Sequence, residues 1–324
     1  MSTTWQLQWA FGEANVQALG GMLAPVTFQF PDGRSISPLH TAFWGEQNDP
    51  ALSGIMRRLR GEWACLPYGP ACHPSQIPSD WLKKPLSDEW DHGYCANHEW
   101  QLLSQTDHEL SIAIVYPENQ VIEKLVRTFS VNPMAAEISV NTMVYAKESV
   151  TLPFALHPTF RTEGEEVEII DKGFELVHTY PYSPEPGVSQ LVPNSHCGSL
   201  KAVPSEQGNL DLTHLPLEQV TEELLQLADC TGRLSIRYHK AKVDVHLDWD
   251  TPHLPDALIW ISNGGRSHYP WGGKHYALGI EPCNSFFDLT RVVEPPKSHP
   301  LSRRNGIHFT SGTPVSIAYK ISAE

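Results

Sequence analysis

Three short segments of the chain place an ionisable side chain next to strand-like sequence, as acid and base chemistry requires. Their sequences are DHGY at residues 91–94, LPFALHPTF at 152–160 and LGIEPCNS at 278–285. His157 and Glu281 each follow an apolar run and precede a proline, which removes a ladder donor and redirects the chain. Burial at a strand end raises the pKa of a carboxylate and lowers that of a histidine. His157 and Glu281 are therefore predicted to form a general acid/base pair.

Each of these segments also has a simpler interpretation. A lone histidine at a strand end is more often structural, and a glutamate before a proline is more often an exposed turn residue. His92, Cys95 and His98 have a spacing that suits a metal on a helix. The segment reads instead as a loop entering a strand, and no second pair of ligands accompanies it. We therefore expect no metal there.

The elements that must position these residues are predicted to be β-strands. Apolar or alternating runs between turn residues predict strands at 108–116, 121–131, 137–145, 167–170, 174–178, 233–239, 242–249, 257–262, 275–280 and 315–321. Three neighbouring pairs are expected to form hairpins: 108–116 with 121–131, 167–170 with 174–178, and 233–239 with 242–249. The second of these has Asp-Lys-Gly at its turn, with glycine where a positive φ is favoured.

One segment, residues 217–228, is predicted to be helical, because its apolar residues share a helical face and Gly232 follows its end. The chain has no strand–helix alternation and no glycine-rich phosphate loop, which argues against a nucleotide-binding α/β fold. We expect one domain over residues 1–324, an all-β protein built as a large antiparallel β-sandwich with one short helix. The irregular residues 42–97 are expected to gather at one edge or over one concave face.

The composition bears on partners and location. The chain has 324 residues, a formal net charge of −14 and a pI of about 5.5. An acidic surface repels phosphate backbones and anionic lipids, so nucleic acid and membrane partners are not expected. No apolar run is long enough to span a bilayer, and the N-terminus lacks the features of a signal peptide. With six scattered cysteines and no CxxC pair, we expect free thiols and a cytoplasmic location.

Taken in order, the three segments resemble those of the aldose 1-epimerase (galactose mutarotase-like) superfamily, which includes hexose-6-phosphate mutarotase-like proteins. The matching features are His-Gly-aromatic followed by Trp100, an apolar run ending in His157-Pro158, and Gly-Ile-Glu-Pro around Glu281. The resemblance runs from about residue 20 to the C-terminus. It implies an antiparallel supersandwich with a small-molecule sugar on its open concave face, and neither metal nor organic cofactor.

The resemblance also implies a role for each matching side chain. His157 would protonate the ring oxygen of a pyranose, Glu281 would take the proton of the anomeric hydroxyl, and His92 would hydrogen-bond near the anomeric centre. We expect the three to converge on the concave face, with a sugar-sized gap between His157 and Glu281.

The chain departs from the family pattern next to the two histidine motifs, where family members bind their sugar. Leu156 stands where an asparagine usually precedes the histidine, and Cys-Ala-Asn at residues 95–97 replaces an alanine-arginine pair. Arg60 and Arg161 are the candidates to replace that arginine as substrate-binding groups.

Aromatic side chains supply further candidates, because a flat ring suits the C–H face of a sugar. Trp63 and Trp271 are predicted to bind substrate in this way. Trp260 is expected to be a core residue of its apolar strand, and Arg266 an exposed turn residue.

Three classes of function stay open on these residues. The first is an isomerase that interconverts sugar anomers, and the presence of both His157 and Glu281 favours it. The second is a non-catalytic carbohydrate-binding protein on the same scaffold, and the third is a lyase or hydrolase of a polymer. A hexose-phosphate mutarotase is the variant of the first class in which Arg60 would anchor an anionic group. The net charge favours a neutral aldose instead.

Overall fold

The computed structural model describes residues 3–47, 49–84 and 90–324. It is built almost entirely of strands, whose bounds in chain order are β1 Thr4–Trp9, β2 Gly12–Gln17, β3 Leu23–Gln29, β4 Ser35–Ile36, β5 Ala64–Cys65, β6 Gln101–Gln105, β7 Glu109–Val115, β8 Ile122–Val131, β9 Glu137–Ala146, β10 Val150–Leu152, β11 Phe154–Leu156, β12 Thr159–Arg161, β13 Val167–Ile169, β14 Leu176–Thr179, β15 His196–Cys197, β16 Val203–Ser205, β17 Gly208–Leu210, β18 His214–Leu215, β19 Thr221–Ala228, β20 Arg233–Tyr238, β21 Val243–Trp249, β22 Asp256–Asn263, β23 Tyr276–Asn284, β24 Ile307–Phe309 and β25 Val315–Ala323. The helical segments described are α1 Tyr94–Asn97 and three short 3-10 turns, Gly54–Arg58, Ser79–Trp81 and Leu200–Ala202.

Two large sheets form the body of the molecule. A nine-stranded sheet has the order β18-β13-β20-β21-β25-β9-β8-β7-β6. An eight-stranded sheet has the order β15-β14-β19-β22-β23-β11-β5, and β12 also pairs with β23. Neighbouring strands in both sheets are antiparallel. The expected all-β antiparallel sandwich is confirmed, and a four-stranded sheet, β1 to β4, lies outside the two large ones.

The two large sheets bury their residues differently. Along β9 of the nine-stranded sheet, buried residues alternate with half-buried ones, as in a sheet with one face toward the core. Every residue of β22 in the eight-stranded sheet is buried, because its second face carries an additional apolar cluster that includes Trp44, Trp63, Tyr68 and Phe286. The loops that form this cluster cover the face on which the candidate site lies.

The helix predicted at residues 217–228 is wrong. Residues 221–228 form β19, which pairs with β14 on one side and β22 on the other. Seven of its eight residues are buried, so both faces of the strand carry the residues of a core and the period of two is lost. The one α-helix among the described residues is α1, and no described helix is long and apolar enough to cross a membrane.

The hairpin predicted across residues 171–173 is also wrong. β13 pairs with β18 and β20 in the nine-stranded sheet, whereas β14 pairs with β15 and β19 in the eight-stranded sheet. Gly173 has the expected positive φ of 94°, but its turn carries the chain from one sheet to the other. The hairpins β7–β8 and β20–β21 are confirmed, because their local alternation matches a partner next in sequence.

A fully buried ion pair joins the sheets. Arg127 in β8 places Nη2 2.5 Å from Oε2 of Glu62, and both side chains are 0% exposed. The Tyr319 hydroxyl of β25 donates to the same Glu62 oxygen, and Arg127 Nη1 donates to the Gly21 carbonyl at 2.9 Å. Since Glu62 lies just before β5 and Gly21 just before β3, this cluster connects the nine-stranded, eight-stranded and four-stranded sheets.

Replacing one partner of this pair is expected to destabilise the fold strongly. Arg127→Met leaves the Glu62 carboxylate buried without its counter-charge, and such changes cost about 3–5 kcal/mol. Urea denaturation followed by tryptophan fluorescence measures the loss. The control is Arg237→Met, which breaks the exposed pair of Arg237 with Asp244 at 2.8 Å and is expected to change stability little. Equal effects of the two substitutions would contradict a special role for the buried pair.

Candidate active site

An open cavity lies on the loop-covered face of the eight-stranded sheet. It holds about 520 Å³ of empty space, the part open to solvent included. Strands β19, β22 and β23, with His157 directly after β11, supply its floor, and the loops around residues 55–63, 92, 266–271 and 288 supply its walls. The lining residues are Ile55, Met56, Leu59, Trp63, His92, His157, Leu224, Leu258, Trp260, Arg266, Trp271, Glu281 and Asp288.

The cavity brings together His157 and Glu281, which lie 124 positions apart in the sequence. His157 follows β11 as predicted, and its backbone N–H donates to the Trp63 carbonyl at 2.9 Å. Glu281 lies inside β23, opposite Leu258 of β22, so the prediction that it follows the end of its strand is wrong. His157 Nε2 and Glu281 Oε1 are 3.2 Å apart. The expected sugar-sized gap between them is therefore also wrong, because the two groups are in contact.

Neighbouring side chains fix the orientation of both groups. Tyr68 donates its hydroxyl to the second oxygen of Glu281, Oε2, at 2.5 Å. Thr159 Oγ1 lies 3.3 Å from Nδ1 of His157, the nitrogen that faces away from the glutamate. The indole of Trp63 stacks on the His157 ring, with 4.1 Å between the ring centroids and 19° between the planes. His157 and Glu281 thus each direct one polar atom toward the other, while a second polar atom contacts Thr159 or Tyr68.

His92 stands beside this pair. Its ring is 5.3 Å from that of His157 and nearly perpendicular to it, and its Nδ1 is buried with no hydrogen-bond partner among the described residues. His92 itself has a positive φ of 60°. The next residue, Gly93, has φ 83°, and a Cβ there would lie 2.1 Å from the Leu66 carbonyl oxygen. This close approach requires glycine and explains the His-Gly pair in the sequence.

Burial shifts the proton affinities of the site in opposite directions. Desolvation raises the pKa of Glu281 well above its usual value, and the nearby Asp288 adds to the rise. Desolvation and the adjacent His92 lower the pKa of His157 well below its usual value. Burial also lowers the pKa of His92 to about 4. The environment therefore makes Glu281 a stronger base and protonated His157 a stronger acid than either is in water.

A second ionic pair adjoins the cavity: Arg266 lines it, and Glu222, which is not a lining residue, pairs with Arg266. Glu222 of β19 is fully buried and accepts hydrogen bonds from Trp260 Nε1 at 2.5 Å and Ser262 Oγ at 3.0 Å. Arg266 Nε lies 2.9 Å from the same carboxylate. The Arg266 guanidinium also lies over the rings of Trp271, at 4.6 Å, and Trp260, at 5.2 Å. Arg266, expected on an exposed turn, is therefore a cavity residue, while Trp260 is buried as expected and lines the cavity as well.

The other predicted site residues fall into two groups. Trp63 and Trp271 line the cavity. Arg60 and Arg161 do not: Arg60 pairs with Glu46 at 2.6 Å, and Arg161 pairs with Glu165 at 2.7 Å.

The side chains with metal-like spacing have separate surroundings. The buried Cys95 thiol donates to the Ala64 carbonyl at 3.2 Å, and the His98 ring stacks on Tyr94 with 3.7 Å between centroids. His92 faces the cavity instead.

Four residues of the site carried no motif in the sequence: the lining residues Arg266 and Asp288, Tyr68, which contacts Glu281, and Glu222, which pairs with Arg266. One signal was present for Glu222. It stands with Glu223 in the run TEELLQLA, and two acids in an apolar strand of this kind need buried partners. Tyr68, Arg266 and Asp288 come from loops, where no periodicity shows which way a side chain points.

The glycine of the third segment leaves room for Glu281. A Cβ at Gly279 would lie 2.8 Å from Glu281 Oε1 and 3.0 Å from Trp260 Cβ. Gly279→Ala is therefore expected to displace the carboxylate and destabilise the fold by about 1–3 kcal/mol, as overpacking does. Urea denaturation and a crystal structure of the variant measure the two effects. Gly198→Ala is the matched control, because nothing lies within 4 Å of a Cβ at that exposed glycine. An unmoved Glu281 in the Gly279 variant would refute this account.

Comparisons with known proteins agree with the architecture. No family model and no curated protein matches the chain. Among solved structures, a protein from Escherichia coli K12 provisionally described as an aldose 1-epimerase is 15% identical, with a TM-score of 0.67 over 100% of this chain and 99% of that one. A galactose mutarotase-like protein from Lactobacillus casei is 11% identical, with a TM-score of 0.63 over 99% and 100%. An aldose epimerase homologue from C. elegans is 12% identical, with a TM-score of 0.61 over 100% and 99%. The chain has the galactose mutarotase-like fold over its whole length.

Proposed function

We propose that this protein is an aldose 1-epimerase-like isomerase that interconverts the anomers of a sugar by acid/base ring opening. The observation that carries the proposal is the 3.2 Å contact between His157 Nε2 and Glu281 Oε1 at the floor of an aromatic-walled cavity. The reaction moves protons at O1 and O5 of a pyranose, and both oxygens are bonded to the same carbon. An acid and a base that serve them must therefore lie next to each other, within hydrogen-bond reach of adjacent atoms.

The pair holds one proton, and the reaction passes it across the sugar. Protonated His157 gives its proton to O5 while Glu281 takes the proton of the O1 hydroxyl, and the C1–O5 bond breaks to give the open aldehyde. Rotation about the C1–C2 bond presents the other face of the carbonyl. Glu281 then returns a proton to O1 and His157 removes the one on O5 as the ring closes. All protons move between the sugar and these two side chains, so no further group is called on.

The pKa shifts suit this exchange. Lowering the pKa of His157 makes its cation a better proton donor, and raising the pKa of Glu281 makes its carboxylate a better acceptor. His92 is neutral above about pH 4 and has an unpartnered Nδ1, so it supports a hydrogen bond near the anomeric centre without adding charge. Trp63 and Trp271 offer ring faces to the C–H patches of the sugar.

A neutral aldose fits the cavity better than a sugar phosphate. Arg266 is the one arginine among the described lining residues, and it is paired with Glu222. Glu281 and Asp288 add acidic groups to the same walls. A phosphate needs cationic side chains that are not already paired with an acid. Arg60, the residue predicted to bind a phosphate, forms an ion pair with Glu46. The names of the solved structures with this fold support the same reaction class.

Removing the base tests the proposal directly. Glu281→Gln is expected to lower kcat/KM for anomer exchange by about 100- to 10,000-fold, because an amide cannot take the O1 proton. Exchange NMR on a panel of free and phosphorylated aldoses measures the rate, and circular dichroism checks the fold. The control is Glu168→Gln, since Glu168 lies on β13 in the other large sheet. Sugar binding without accelerated exchange in the wild type would favour the non-catalytic carbohydrate-binding alternative.

The pH dependence tests the proton count of the pair. The active form has one proton, and acid inactivates it by adding a second. Because burial and His92 lower the pKa of His157, that second proton binds only below the ordinary histidine value of about 6.5. The enzymatic rate, after subtraction of spontaneous mutarotation, is therefore expected to stay level as pH falls through that value and to drop below it. A half-maximal rate near pH 6.5 would instead indicate an ordinary, solvated histidine.

A further inference from the structure

A second cavity adjoins the one that holds His157 and Glu281. It contains about 620 Å³ of empty space, its opening to solvent included, against about 520 Å³ for the first cavity. The two cavities share Leu224, Arg266 and Asp288, so they adjoin each other at these side chains. The loop after Tyr68, at residues 70–74, and the loop after β14, at residues 180–184, form the outer walls of the second cavity. A ligand in the first cavity therefore has room to extend beyond it.

The walls of the second cavity are aromatic and proline-rich. Tyr180 and Tyr182 lie edge to face, with 4.7 Å between their ring centroids. Tyr180 is buried against Phe287 and donates its hydroxyl to Asp288 Oδ1 at 2.5 Å, so it is fixed in place. Tyr182 is half-buried and offers its ring beside Pro70, Pro74 and Pro184. Rings and prolines of this kind suit the C–H faces of a pyranose.

The charge of the second cavity favours a neutral ligand. Its ionisable lining residues are Arg266, Asp288, His73, Cys72 and the two tyrosines. Arg266 is paired with Glu222, and His73 contacts the Lys83 carbonyl at 2.6 Å. Asp288 is an acid, so no surplus of positive charge faces the space. A phosphate or carboxylate would lack its counter-ion there, whereas a polyhydroxylated group needs only hydrogen bonds and stacking.

We propose that the second cavity binds the non-reducing unit of a reducing disaccharide whose reducing unit lies at His157 and Glu281. This inference rests on the proposed function and specifies its substrate class. Ring opening involves only C1, O1 and O5 of the reducing unit, so a sugar attached at a carbon far from C1 leaves that chemistry intact. The shared lining residues Leu224, Arg266 and Asp288 place the two cavities next to each other, as two linked sugar units require.

The test compares exchange rates of glucose, maltose, cellobiose and lactose by NMR. At least one disaccharide is expected to reach a kcat/KM equal to or above that of glucose. Tyr182→Ala is expected to lower the disaccharide-to-glucose ratio of kcat/KM by roughly three- to tenfold, because it removes a stacking ring. Tyr182→Phe keeps the ring and is expected to keep most of the ratio. Tyr145→Ala, on β9 of the other sheet, controls for general destabilisation.

Two results would overturn the inference while leaving the proposed function standing. They are exchange of glucose with no acceleration for any of the three disaccharides, and an equal loss for both sugar sizes in Tyr182→Ala. If no sugar is exchanged faster than in buffer, the proposed function itself fails. Saturation-transfer NMR then decides the second cavity separately. Tighter binding of maltose than of glucose, lost in Tyr182→Ala, supports it, and equal binding of the two sugars refutes it.

Discussion

The buried contact between Arg127 and Glu62 is the constraint on which the candidate site depends. Two charges that are 0% exposed are tolerated only while each has the other, so the segment carrying Glu62 cannot move away from β8. The next residue, Trp63, stacks on the His157 ring, and its carbonyl accepts the His157 N–H. A charge pair outside the cavity thus fixes the side chain and backbone against which His157 is oriented. This explains why the motif histidine is placed accurately although it lies in a loop between two short strands.

Covering both faces of one sheet has a second consequence, which is electrostatic. The loops that pack on the eight-stranded sheet remove His157 and Glu281 from water, and this desolvation is the main cause of their opposite pKa shifts. If this face of the eight-stranded sheet were exposed to solvent, the same residues would be hydrated and would keep their ordinary pKa values. The apolar cluster under the loops therefore affects the pKa values of His157 and Glu281 as well as the packing.

The same double coverage limits what the sequence predicts. The bounds of strands in the nine-stranded sheet, such as β8 and β9, were predicted closely. Only one face of this sheet is buried, so apolar residues recur at every second position. β19 is buried on both faces and lacks that period, and the spacing of its apolar residues predicts a helix instead. The convergence of His157 and Glu281 was predicted from the order of the motifs and the resemblance that it carries, and the pairing of β11 with β23 brings the two residues together. Tyr68, Arg266 and Asp288 were not predicted, since their positions depend on loops that pack from far away in the sequence.

A reversible proton exchange also limits how far burial can shift the pair. In the proposed reaction, opening the ring leaves neutral His157 and protonated Glu281, and closing it needs the reverse transfers, so neither state can be much more stable than the other. Burial favours the neutral state, because it penalises both charges. The Tyr68 hydroxyl opposes this by donating to Glu281 and lowering its pKa, and the Arg266 charge acts in the same direction on the carboxylate. Desolvation would supply the strength of the proposed acid and base, and Tyr68 and Arg266 favour the ionised form of Glu281, so that one pair would serve both halves of the proposed cycle.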